Sequence, residues 1–281
     1  MLKGSASLRL YGVKDCPTLA MTATVTKNEL KDLVSAFGFR KPPRILASSP
    51  IQDHIKFSIL RRPSNNYGYD GHTNMKGVTA PGLMDLLKRI YLNHYIDDLK
   101  AGRTPKKCII FCRGNSMLGE LYCRLMEMTD YKYQDCRSAP FVMNHSSLLP
   151  PTERVIEERA SEISLYLSSN KMLMGINLAD IDIVIFLRPY SQPAALVQGA
   201  GRGGRKNVDG TRRRVQVYQL YNSQDISPQN KISPQMRNLC LSSKCTRLML
   251  RDIFLENTEV HSPTVINPDF CCHNCESPME L

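Results

Sequence analysis

Apolar positions follow two rhythms along this chain. Between Thr26 and Gly38 they fall at Leu30, Leu33, Val34 and Phe37, the spacing of one helix face. Thr26 with Glu29 three residues on forms a capping box at the start of that helix, and Gly38 ends it. A short apolar run closed by Met21-Thr22-Ala23-Thr24 precedes it. Residues 44–49 and 55–60 read as strands, and 63–82, rich in Pro, Gly and Asn, as a surface loop. Leu83, Leu86, Leu87, Ile90 and Tyr91 mark an amphipathic helix running towards Gly102. Cys108-Ile109-Ile110-Phe111-Cys112 reads as a buried strand. Leu118, Leu121, Tyr122 and Leu125 form a helical stripe, and a helix after Pro151 carries Val155, Ile156 and Ile163. Ile181 to Leu187 is a strand, Pro193 opens a short helix, and Val215 to Tyr221 is another strand. Strands alternating with helices predict an α/β fold on a parallel sheet.

Composition narrows the picture. At 281 residues the chain makes one large domain or two modest ones, and its 42% hydrophobic content supplies a core. The formal net charge of +11 suits a polyanionic partner, and equally a basic protein that simply stays dissolved. No stretch approaches the ~20 apolar residues of a bilayer span. The opening Met-Leu-Lys-Gly-Ser-Ala-Ser lacks a signal-peptide core, so the expectation is an intracellular chain with no membrane partner. Of ten cysteines, Cys108, Cys112 and Cys123 sit in apolar patterns as small core residues, while four crowd near the C-terminus.

The segment Gln198-Gly199-Ala200-Gly201-Arg202-Gly203-Gly204-Arg205 admits two readings. As G-x-G-x-x-G it would cradle a dinucleotide, which requires a strand directly before Gly199 and a helix opening at Gly204. The preceding strand ends near Leu187, a helix intervenes, and a loop follows Gly204, so that reading fails on context. As Q-x-x-G-R-x-G-R it is a basic turn whose arginines can reach a phosphate across a cleft. A solvated basic loop is the plainer alternative.

Cys245 is followed 26 residues later by Cys271-Cys272-His273-Asn274-Cys275. Four thiolates can close a tetrahedral Zn²⁺ site with bonds of about 2.3 Å, the first ligand at a helix start and three in one loop. Four sulfurs leave no open position, so the role is structural. Cys240, His261 and His273 are competing ligands, and a disulfide reading suits an intracellular chain less.

Strand, loop, short helix and Q-x-x-G-R-x-G-R together resemble motif VI of superfamily 2 helicases. The chain resembles the RecQ family of ATP-dependent DNA helicases, with Werner-type members closest in the cysteine pattern. Thr22-Ala23-Thr24 resembles motif III, and Cys108-Ile109-Ile110-Phe111-Cys112 resembles motif IV. Asn144-His145-Ser146-Ser147-Leu148 stands where the family has a His-Ala-Gly-Leu stretch, and Met174-Gly175-Ile176-Asn177 matches the end of motif V. The resemblance implies a tail of a first RecA-like domain over 1–40, a second RecA-like domain over 41–235 and a zinc-binding subdomain over 236–281. It implies 3′ to 5′ DNA unwinding in recombination and repair, in the nucleus, with ATP, Mg²⁺, structural zinc and DNA phosphates as ligands. Gln198, Arg202 and Arg205 would meet ATP, either arginine being the finger, while glycines 201, 203 and 204 let the backbone approach the cleft. Ser168, Ser169, Gly175 and Asn177 would face DNA phosphates or the ATP cleft. Thr22 and Thr24 would couple nucleotide state to DNA grip or be ordinary strand-end residues, and His145 either couples or is structural.

The chain departs from the family where Leu173 replaces a glycine, at Asn170-Lys171, and where Gly199 replaces a Glu. It contains no G-x-x-x-x-G-K-[ST] and no D-E-x-H. The resemblance places both upstream of Met1, so this polypeptide alone is expected not to hydrolyse ATP. The competing reading is a catalytically inactive DNA-binding or regulatory fragment whose basic face comprises Arg202, Arg205, Lys206, Arg212, Arg213 and Arg214. A DEAD-box RNA helicase is a third reading, and the cysteine cluster argues against it.

Overall fold

The computed structural model describes residues 19–22, 24–37, 44–46, 51–62, 81–133, 135, 137–173, 180–204, 212–254 and 270–276. Among the described residues helix α1 (Lys27–Phe37) comes first. The core elements are β1 (Ile55–Arg61), α2 (Pro81–Leu87), a π-helical turn (Lys88–Leu92), α3 (Asn93–Lys100), β2 (Cys108–Phe111) and α4 (Asn115–Met128). They continue with β3 (Phe141–Asn144), α5 (Pro150–Glu158), β4 (Leu165–Ser168), a 3-10 turn (Asn170–Leu173), β5 (Ile183–Phe186), α6 (Pro193–Ala200) and β6 (Val215–Tyr221). Helices α7 (Pro234–Leu241) and α8 (Thr246–Ile253) and a 3-10 turn at His273–Cys275 complete the chain.

The six strands form one sheet in the order β1-β6-β5-β2-β4-β3, and every pairing is parallel. A parallel sheet is covered on both faces, so its strands are apolar throughout rather than alternating, as in Cys108-Ile109-Ile110-Phe111. Cys108, Ile110 and Cys112 pack with α2, α3 and α4, while Ile109 and Phe111 pack with α5, α6, α7 and α8. This is the predicted α/β architecture. No described helix is long and apolar enough to cross a membrane.

Several expectations change in detail. Strands β3 (Phe141–Asn144) and β4 (Leu165–Ser168) are not expected from the sequence, because Asn144 and Ser168 cut their apolar runs short. Helix α5 stops at Glu158, so Ile163 is not on it; Ile163 is fully buried in the turn entering β4. Arg44, Ile45 and Leu46 are irregular and exposed rather than a strand, and 47–49 lie outside the described residues. Most of the expected 63–82 loop also lies outside them, and its last two positions already belong to α2. Cys123 is exposed because it falls opposite the buried Leu118, Leu121 and Leu125 on α4. The capping box forms: the Glu29 N–H donates to Thr26 Oγ1 at 3.2 Å and the Thr26 N–H to Glu29 Oε2 at 2.9 Å. The apolar stripe of α1 is nevertheless only half-covered, and no residue of that helix is fully buried.

Helix α6 lies unusually close to β5. A Cβ on Gly199 would stand 2.5 Å from Phe186 Cζ and 3.1 Å from Leu173 Cδ2, and Phe186 itself stacks on Phe111 with centroids 4.9 Å apart. Gly199 is therefore fixed by packing. Gly201 has only its own helix carbonyls at 3.4 and 3.5 Å.

Helices α7 and α8 join the same core through Met236, Leu239, Cys240 and Leu250. What seats them against β1 is Arg247, which is 2% exposed. Its guanidinium donates to the carbonyls of Gln52 at 2.9 Å, Ile55 at 2.6 Å and Phe270 at 3.2 Å, and reaches Asp53 O at 3.4 Å. The Phe57 N–H donates to Cys271 O at 3.3 Å, so the cysteine loop continues the sheet by one parallel bridge at its β1 edge.

Two substitutions check this account. Gly199→Ala should lower stability in urea by about 1–3 kcal/mol despite alanine's better helix propensity, because the Phe186 stack cannot yield. Gly201→Ala should change it little, and equal effects from both would contradict the packing account. Arg247→Met leaves buried carbonyls without donors, at about 1–3 kcal/mol each, so a loss of at least about 3 kcal/mol is expected by the same measurement.

Candidate functional site

The glycine-arginine segment begins at the end of α6. The Gly201 and Gly203 N–H groups donate to Val197 O and Ala200 O, closing the helix into a turn, and the Gly204 N–H donates to Ile181 O. Gly204 has φ +59°, and a Cβ there would strike the His54 ring at 2.4 Å and Arg213 O at 2.6 Å. A Cβ on Gly203 would meet Val215 Cγ1 at 2.5 Å. Gly203 and Gly204 thus bring the turn down onto β6 and His54, rather than opening it toward a cleft. Only Gly201 stands exposed.

Arg202 is half-buried, and its guanidinium donates to the carbonyl of Leu173, in the turn after β4. That contact brings the Leu173 substitution and the motif VI arginine together. Gln198 Nε2 donates to Thr24 Oγ1 at 2.9 Å. Thr22 Oγ1 in turn donates to Thr24 O at 2.8 Å. Gln198 and the pair Thr22 and Thr24, read in different motifs in the sequence, are one hydrogen-bonded group. Arg205, Gly175 and Asn177 lie outside the described residues.

The carboxyl ends of the strands carry the other candidates. Ser168 is fully buried, with its hydroxyl 2.9 Å from Asn144 O and 2.9 Å from Ser169 O. The hydroxyl that the sequence offers to phosphate is committed to the sheet, because β3 and β4 pair at that position. Ser169 is half-buried beside it, and its N–H donates to Asn144 O at 3.3 Å. His145 follows β3, and its Nδ1 accepts from the Ser147 N–H at 3.3 Å, which holds the ring over its own turn.

Three arginines of the expected basic face have partners within the fold. Arg212 donates to the Gln52 side chain, Arg213 lies 3.5 Å from Asp182, and Arg214 sits 5.1 Å above the Phe270 ring. His54, beneath the turn, is held below its ordinary pKa by burial and by Arg212, with Asp53 opposing. It is therefore a neutral ring at neutral pH.

The cysteines meet as expected. Cys245 Sγ lies 3.5 Å from Cys271 Sγ and 3.9 Å from Cys272 Sγ, and Cys272 Sγ lies 3.5 Å from Cys275 Sγ. All four ligand atoms fall within 4.8 Å of one another. A disulfide would hold sulfurs about 2.05 Å apart. Ligands at about 2.3 Å from a tetrahedral ion stand about 3.8 Å apart, and the cluster has that spacing. Burial opposes ionisation of Cys272, yet the Thr246 N–H at the start of α8 and the neighbouring thiols hold it below its ordinary pKa. Burial pushes Cys271 up to about 11. Asn274 Nδ2 donates to Lys244 O at 2.7 Å and Ser242 O at 3.1 Å, fixing the loop against the α7–α8 turn. His273 and Cys240 are not in the cluster.

Sequence reasoning missed Arg247 and the pair Arg62–Asp225, which is 2.7 Å apart with side chains 0% and 6% exposed. Neither has a signal in spacing, since Arg247 takes backbone carbonyls as partners and Asp225 is far from Arg62 in sequence.

Residues 87–207 match the helicase conserved C-terminal domain. No curated protein sequence matches the chain. Among solved structures, S. cerevisiae Dbp5 bound to RNA and ADP BeF3 is similar with a TM-score of 0.53 and 14% identity, over 88% of this chain and 52% of that one. The C-terminal part of the Fun30 ATPase domain gives 0.38 and 21% identity, over 55% of this chain and 44% of that one. Mycobacterium smegmatis Lhr bound to ssDNA and AMP-PNP gives 0.44 and 14%, over 72% of this chain and 22% of that one. The chain thus spans about half or less of the length of these structures. Residues 87–207 thus match a helicase C-terminal domain, and the parallel sheet with its flanking helices has the fold of such a domain.

Proposed function

We propose that this chain is the second motor domain and cysteine module of a RecQ-type, ATP-dependent 3′ to 5′ DNA helicase acting in the nucleus in recombination and repair. Its divisions would be 1–40, 41–235 and 236–281. The observation that carries the reading is the hydrogen bond from Gln198 to Thr24, which ties the segment before the sheet to the helix that presents Arg202. A change at a bound nucleotide has a direct route from α6 to that segment.

In this reading Arg202 exchanges the Leu173 carbonyl for a phosphate oxygen of ATP held by a P-loop domain. A guanidinium there stabilises the charge that develops on phosphoryl transfer, an effect worth roughly 10³–10⁵ in rate. Arg205 would act beside it. The carboxyl edge around His145 and Ser169 would lie along the DNA backbone, positioning without reading sequence. Zinc would be held by Cys245, Cys271, Cys272 and Cys275. It would supply a rigid, closed tetrahedral centre, stabilising the module on the order of 10 kcal/mol. The module would add basic surface next to the motor.

The chain holds no P-loop motif, so the purified polypeptide is expected to bind single-stranded DNA and to show no DNA-stimulated ATP hydrolysis; measurable turnover would contradict this division of labour. In a polypeptide that also carries the P-loop half, Arg202→Ala and Arg205→Ala should abolish ATP hydrolysis and spare DNA affinity. Parallel loss of both properties argues against the finger role. Native mass spectrometry should find one zinc ion per chain, and cobalt exchange should give a tetrahedral thiolate spectrum. Cys271→Ser should lose both signals together with thermal stability, whereas a metal-free wild-type chain of full stability sinks the zinc assignment.

A further inference from the structure

The 3-10 turn Asn170–Leu173 is gripped from several sides. Its entry is fixed by the sheet, since the Ser168 hydroxyl and the Ser169 N–H both meet neighbouring carbonyls at the end of β4. Lys171 forms an ion pair with Glu153 in the first turn of α5. Met172, 1% exposed, belongs to the core beneath. Leu173 is also buried, and its side chain lies on α6.

The seat of Leu173 is the bare backbone of Gly199. A Cβ at that position would stand 3.1 Å from Leu173 Cδ2 and 2.5 Å from Phe186 Cζ. A side chain at 199 would therefore compete with Leu173 and Phe186 for one space, and leucine with glycine is a matched large and small fit.

What the seated turn presents is a backbone oxygen. The Leu173 carbonyl accepts from the Arg202 guanidinium, and a charged donor makes such a bond stronger than a neutral one. Gly199 also fixes the other partner, because its carbonyl accepts the Arg202 N–H at 3.0 Å. One residue thus takes the leucine by its missing Cβ and the arginine backbone by its oxygen. The consequence shows in exposure: Arg202 is half-buried, whereas Arg212, Arg213 and Arg214 are exposed. An arginine held this way reaches a phosphate only in the fraction of molecules whose turn has let go. Any affinity that depends on it is scaled by that fraction.

We propose that the Asn170–Leu173 turn is an autoinhibitory latch on Arg202. Leu173 seated over Gly199, and Lys171 paired with Glu153, hold a carbonyl against the guanidinium until the turn lifts. The proposal rests on the motor-domain reading, in which Arg202 serves ATP, and adds the control of that arginine.

The test is the rate at which phenylglyoxal modifies each arginine of the native 281-residue chain, read by peptide mass spectrometry. Arg202 should react roughly tenfold slower than the exposed Arg237 on α7. Lys171→Met and, separately, Leu173→Ala should raise the Arg202 rate about tenfold. Both should leave Arg237 and the buried Arg247 at their wild-type rates. Leu173→Met, which refills the space over Gly199, should restore most of the protection. In a polypeptide that also carries the P-loop half, the two loosening variants should raise ATP turnover severalfold. Wild-type Arg202 rates in both variants mean that the carbonyl holds nothing back, and they overturn the latch. Equal acceleration at Arg247 in both marks a loosened fold and overturns it as well. Unchanged or reduced turnover with Arg202 released makes the turn a support for the arginine, which also contradicts the proposal. Turnover indifferent to Arg202→Ala overturns the motor-domain reading instead, and leaves the measured protection of Arg202 standing.

Discussion

The guanidinium of Arg247 holds the two halves of this structure in one piece. It is a buried cation whose two terminal nitrogens meet backbone carbonyls, drawn from the entry to β1 on one side and from the residue before Cys271 on the other. A buried charge without a carboxylate is tolerable only when its donors are met by well-placed oxygens. The geometry of the cysteine loop, the register of the β1 edge and the seat of α8 are consequently fixed by the same atoms. His54 lies between Asp53 and Ile55, whose carbonyls Arg247 contacts, and packs under Gly204, so the glycine-arginine turn inherits its footing from that arrangement.

From there the sheet distributes function by edge. The amino ends of β1, β5 and β6 receive the turn after α6 and the cysteine loop, while the carboxyl ends present His145, Ser169, Arg113 and Arg188. Parallel strands make this separation automatic, since every carboxyl end points the same way. The helix α6 connects the two edges, beginning shortly after Tyr190 and ending at Ala200, just before Arg202.

Much of this was legible in the sequence where a segment carried its own period or its own chemistry. The uniformly apolar Cys108–Phe111 and the runs at 183–186 and 215–221 declare buried strands, and Thr26 with Glu29 declares a helix start that the hydrogen bonds bear out. The cysteine spacing announced a cluster because thiols so placed have few other uses. Contacts made by backbone atoms were not legible: the carbonyls under Arg247, the Leu173 carbonyl under Arg202, and the Asn144 carbonyl that holds Ser168. Gly199 reads as a departure from a family pattern until the Phe186 ring beside it shows that no side chain fits.

The pairing of β1 with β6 has a consequence for how the chain is made. The first strand of the sheet, Ile55–Arg61, pairs with Val215–Tyr221, and its outer flank meets the loop at Cys271 and Cys272. During synthesis the β2–β5 centre can assemble first, whereas β1 waits until Val215–Tyr221 has emerged. Closure at such separation is slow, and an apolar strand left waiting is an aggregation hazard. The cysteine loop, later still in the sequence, can close that edge only after β1 and β6 have paired.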